Sequence, residues 1–108
     1  MTEKKDDDYV MKVVTDALKN KKIEYSDHAL ERMDERLVTV FEVEKVIRYG
    51  DREPGLDEYD KKYDYWRYVI RNRDVNERDM AISVDIEDCP ETIIVTVMLV
   101  DPITGRSL

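Results

Sequence analysis

The chain's one histidine, His28, is followed by Arg32 and Arg36 at intervals of four. On an α-helix four residues turn through roughly 400°, so these side chains fall about 40° apart and make one cationic stripe. Ala29, Met33 and Leu37 make an apolar stripe beside it, with Leu30 flanking. Such a helix buries one edge and aims an imidazole and two guanidiniums at something else. Its charge pattern is unusual. Surface helices commonly pair acid and base three or four residues apart, yet Arg36 has Met33 and Arg32 behind it at those distances, and Arg32 has only Glu35 ahead. Two arginines four apart repel unless an anion lies between them. The anion that answers this pattern is a phosphate, or a carboxylate from elsewhere in the fold.

The elements that position this stripe follow from local signals. Ser26 is a suitable N-cap, and Asp27 places a carboxylate in the first turn, where the helix dipole favours it. A preceding helix is expected over 9–20, with Val10, Val13, Val14, Ala17 and Leu18 at helical spacing. Residues 1–7 are expected to be disordered, and 23–25 to be a short extended link. A third helix over 40–49 has a Thr39/Glu42 capping box, with Gly50 expected as its left-handed C′ residue. After Gly50 the period becomes two. A weak edge strand at 51–59 is broken by Pro54-Gly55. Strands are expected at 65–71, 79–87 and 92–100, with turns at 74–77 and 88–91. Trp66, Ile82 and Val95 then share the face the helices cover. The other face carries Arg67, Arg71, Ser83, Asp85, Thr96 and Met98, a mixed and potentially concave working surface. The expectation is one α+β domain over 1–108, its helices packed on one face of a roughly four-stranded antiparallel sheet.

Composition narrows the function. A chain of 108 residues with 42% hydrophobic side chains suits a single core. The net charge of −8 argues against a general nucleic-acid binder, whose affinity comes mostly from phosphate contacts. Any such contact must be local, and 65–73 carries Arg67, Arg71 and Arg73 with no acid. One cysteine excludes an internal disulfide, and one histidine with one cysteine does not make an ordinary zinc site. There is no nucleotide fingerprint and no apolar run long enough to span a bilayer. The expectation is therefore a cytoplasmic protein without cofactor or metal.

Residues 25–36, Tyr-Ser-Asp-His-Ala-Leu-Glu-Arg-Met-Asp-Glu-Arg, resemble the opening of the domain of unknown function 4258 family, Ser-x-His-Ala-x-x-Arg-Met-x-x-Arg. Residues 41–50 are similar to its next helix and glycine, 66–68 to its Tyr-Arg strand, and 94–97 to its closing strand. The resemblance covers about 23–100. It implies a two-layer fold related to RelE/BrnT-like bacterial toxins, mostly ribonucleases whose partners are antitoxin proteins. The family's polar positions fall here on His28, Arg32, Arg36, Arg67 and Thr96. A tyrosine common after the closing Thr-Val is replaced by Met98.

Metal-independent RNA cleavage needs a base for the 2′-hydroxyl, an acid for the leaving oxygen and cations for the phosphorane. His28, Arg32, Arg36 and Arg67 are the candidates for catalysis, with Arg71 and Thr96 for substrate binding. The competing expectation is structural: His28 hydrogen-bonds a neighbouring strand, and the arginines are tied to the chain's own acids. Two functions follow. One is an RNA-cleaving toxin of a toxin–antitoxin pair. The other is a non-catalytic interaction module that kept the fold. Tyr59, Tyr63 and Tyr65 offer a protein-contact surface, and the weak edge strand offers a route to a homodimer.

Overall fold

A computed structural model describes residues 3–73, 76–89 and 92–108. Helices α1 (Asp7–Lys19), α2 (Asp27–Glu35) and α3 (Val40–Tyr49) cover one face of a mixed sheet. Its strands are β1 (Ile23–Tyr25), β2 (Asp51–Arg52), β3 (Glu58–Asp60), β4 (Tyr65–Asn72), β5 (Met80–Cys89) and β6 (Thr92–Val100). Their order is β1-β6-β5-β4-β2, with β3 pairing further along the same side of β4. The α+β class with three helices stands. The sheet, however, has six strands rather than about four, and it is not wholly antiparallel. The expected link at 23–25 is a strand lying parallel to β6, with Ile23 opposite Val95 and Tyr25 opposite Val97. Three residues with no turn signal carry too little local pattern to reveal a partner seventy residues away. The expected turns at 74–77 and 88–91 fall partly outside the described residues.

Each helix begins on a side-chain cap, which supplies an acceptor to an otherwise unbonded first-turn amide. Asp6 accepts from the Tyr9 amide and Ser26 from the Ala29 amide. Thr39 and Glu42 close a full capping box. The C-terminal ends differ from expectation. Lys21 (φ 59°) and Leu37 (φ 54°) hold the left-handed positions after α1 and α2. In each case two backward bonds close a Schellman turn: Lys22 N–H to Ala17 O and Lys21 N–H to Leu18 O, then Val38 N–H to Met33 O and Leu37 N–H to Asp34 O. Gly50, expected to be left-handed, is extended, with φ −79° and ψ 171°. Its lack of a Cβ serves close approach instead. A methyl group there would run into the Val46 carbonyl oxygen and come within 3.0 Å of the Arg71 carbonyl oxygen.

The core lies between helices and sheet, where Val10, Val14, Val43, Ile47, Ile70, Ile82, Val84, Val95 and Val97 are fully buried. On the opposite face Val69, Ala81 and Val100 form a smaller cluster with Leu56. The segment after β6 turns back at 102–104 and runs beside β6, where Ser107 bridges Val100 and the Leu108 amide donates to Leu99 O.

Candidate functional site

The stripe on α2 forms, and it meets the returning segment. His28 Nε2 and Arg32 Nε both donate to the main-chain oxygen of Leu108, each at 2.9 Å. The Leu108 side chain packs against the core. Arg32 also binds Glu35 at 2.5 Å, the one acid the sequence placed ahead of it. Arg36, a turn further on, has no acid within 4 Å among the described residues. It stands at a cleft of about 420 Å³ whose floor includes Met80, Leu99 and Leu108. Arg78 crosses the end of α2, donating to the carbonyls of Arg36 at 3.1 Å and Leu37 at 3.2 Å, and pairs with Glu42 at 3.2 Å. A guanidinium is well placed there, because the last carbonyls of a helix lack intrahelical donors and carry its negative pole.

Arg67 is elsewhere. Tyr68 points into the helix-covered core, so its neighbour Arg67 points to the opposite face of the sheet from α2. The structure therefore does not bring Arg67 together with His28, Arg32 and Arg36. Arg67 donates to Tyr65 Oη at 2.8 Å and stands 3.7 Å from both Asp60 and Asp85. Arg67 Nε and Asp85 Oδ1 are buried with no hydrogen-bond partner. Burial pushes the Asp85 carboxyl up to about 6. The attraction of Arg67 works against that rise, and the charges of Glu87 and Asp60 add to it. Burial also disfavours the charge on Arg67, but the Tyr65 bond and the nearby Asp85 and Asp60 outweigh it and leave its pKa raised. Thr96 lies opposite Asp85 in the β5–β6 register. Arg67 also borders a hollow of about 200 Å³, with Ser83 and Met98 but with neither Asp85 nor Thr96 in its lining.

Arg71 is held at a third place, by Asp79 through two bonds of 2.9 and 2.7 Å and by Glu53 at 3.7 Å. The Asp79 hydrogen bond raises the Arg71 pKa, and the same contact lowers that of Asp79. The six residues singled out by sequence thus fall in three groups: His28, Arg32 and Arg36 along α2; Arg67 with Thr96 near Asp85; and Arg71 with Asp79.

The family model for a domain of unknown function, DUF4258, matches residues 25–99. The chain belongs to the DUF4258 family. No curated protein and no solved structure matches it. The match spans all three groups of residues in this DUF4258 domain, and the N-terminal helix α1 lies outside it.

Asp85, Arg78 and Leu108 were not singled out as site residues. Asp85 was legible in part, because strand alternation puts it on the face of Arg67. Leu108 carries no local signal, since its role comes from a main-chain atom eighty residues from His28. Among the described residues no cluster of three or more His, Cys, Asp or Glu side chains is placed to hold a metal ion, and no helix is long and apolar enough to cross a membrane.

Proposed function

We propose that this DUF4258 protein is a member of the RelE/BrnT-like toxin fold that acts by binding another protein, of the antitoxin kind, rather than by cleaving RNA. The observation that carries this reading is the pairing of three of the four candidate arginines, Arg36 alone having no acid within 4 Å among the described residues. An RNA-cleaving site must keep guanidiniums free for phosphate. Here Arg32 is spent on Glu35 and Leu108, Arg67 faces Asp60 and Asp85, and Arg71 is chelated by Asp79. The net charge of −8 adds a general repulsion of nucleic acid. Partner docking is favoured on the helix side, because the outer edge of the sheet is a poor template for homodimerisation. There β2 and β3 are two and three residues long and are separated by a 3₁₀ turn at Pro54–Leu56.

A second reading, an RNA-cleaving toxin, is favoured by one observation: Arg67 Nε and Asp85 Oδ1 are buried without a hydrogen bond, 3.7 Å apart, and Arg67 borders a hollow. A carboxylate titrating at about 6 is suited to general base work. Expression in bacteria, together with incubation of the purified chain with RNA between pH 6 and 8, separates the two readings. The binding reading expects normal growth and intact RNA. Growth arrest that Asp85→Asn or Arg67→Ala relieves, with matching loss of RNA cleavage, would overturn it.

A further inference from the structure

His28 and Arg32 show what the α2 stripe does with an oxygen: both nitrogens close on Leu108 O while the leucine side chain enters the apolar layer beneath. Arg36 repeats the guanidinium one turn later, over a cleft of about 420 Å³ with an apolar floor of Met80, Ala81, Leu99 and Leu108, and among the described residues no acid lies within 4 Å of it. That volume lies in the range of ligand clefts, which combine an apolar lining with a few orienting polar groups. The acids on its rim have bonds of their own. Asp79 is bound by Arg71. One oxygen of Asp101 takes the amides of Ile103 and Thr104. Its carboxyl is held below the usual range by those backbone bonds, Thr104 first, and by the charge of Arg36.

The geometry points to this cleft as the seat of a partner peptide, with a carboxylate of that peptide on Arg36 and the apolar side chain next to it laid on Met80, Leu99 and Leu108. This rests on the reading that the chain binds a protein. It goes further by naming the surface and the chemistry of the segment received. The chain's own Leu108 shows the combination received, an oxygen on the stripe with its leucine in the apolar layer beneath.

The test is a titration of the ¹⁵N-labelled full chain with acetyl-Leu-Glu-amide, acetyl-Leu-Gln-amide and N-acetylleucine. The acidic dipeptide should move the amide signals of Ala81, Leu99, Val100 and Asp101. Acetyl-Leu-Gln-amide should bind about tenfold more weakly, as expected for loss of one charge-assisted contact. Arg36→Gln should weaken the acidic dipeptide by a similar factor, Arg36→Lys should restore part of it, and Asp101→Asn should tighten it by removing the opposing charge. Absence of shifts at about 10 mM ligand, or equal binding by Arg36→Gln, overturns the proposal. Tighter binding of N-acetylleucine than of the dipeptide also overturns it, by assigning the cleft to small free acids. None of these outcomes depends on RNA cleavage, so the two proposals fail separately.

Discussion

Arg52 grips both carboxylate oxygens of Asp57 in a pair almost removed from water, with 5% of the arginine side chain and none of the aspartate exposed. The same aspartate accepts the Val69 amide at 2.7 Å and pairs with Lys4 at 2.9 Å. Arg52 reaches on to Asp7 at the start of α1. Three distant segments therefore meet on one carboxylate. Removing one partner from a buried pair strands the other's charge, which typically costs about 3–5 kcal/mol. Asp57→Ala should lower unfolding stability by roughly 3 kcal/mol in a urea titration. A loss below about 1 kcal/mol would mean that water reaches the pair.

Asp85 gives a pH signature. Its folded pKa, about 6, lies above its ordinary value of 3.8. The folded state therefore binds the proton more tightly than the unfolded state, and the associated stability is complete below about pH 4. It is lost as pH rises through 6. Asp85→Asn should flatten stability between pH 4 and 6 and raise it at pH 7 by about 1–2 kcal/mol, less than the shift alone implies because the attraction to Arg67 goes too. Parallel pH profiles for the two proteins would rule out the buried, under-bonded carboxylate.

His28 and Arg32 share one acceptor. Either His28→Ala or Arg32→Ala should speed hydrogen exchange at the Leu108 amide and cost about 1 kcal/mol. The double variant should cost less than the two single effects added, because contacts to a common atom are coupled. Strict additivity would show that the two side chains act independently of Leu108.

Leu37 combines a left-handed backbone with 81% exposure. A non-glycine residue pays roughly 1–2 kcal/mol for that conformation, so Leu37→Gly should stabilise the fold by about 0.5–1 kcal/mol after the extra freedom of the unfolded chain is set against it. Gly50→Ala should do the reverse, by about 2 kcal/mol or more, because its methyl group would meet two carbonyl oxygens. Differential scanning calorimetry of the pair checks both signs.

The helices were legible because their causes are local: Ser26 caps α2 and Thr39 boxes with Glu42 within three residues. Alternation revealed β4 to β6 for the same reason. Strand β1 escaped because its partner is remote, and Gly50 was misread because crowding by Arg71 is a tertiary fact. The α2 stripe was visible at the level of residue type. What Arg32, Arg67 and Arg71 face was not, since spacing fixes which way a side chain points but not what waits there. Leu108, which decides the fate of His28, offers only a backbone oxygen, and no residue code marks that.

The parallel union of Ile23 with Val95 also sets a timetable. During synthesis the first third of the chain leaves the ribosome without the strand that completes it, so α2 must wait, its apolar side uncovered, until β6 emerges. Contacts so far apart in sequence slow folding, and a nascent chain stalled before residue 92 would be a natural client for chaperones.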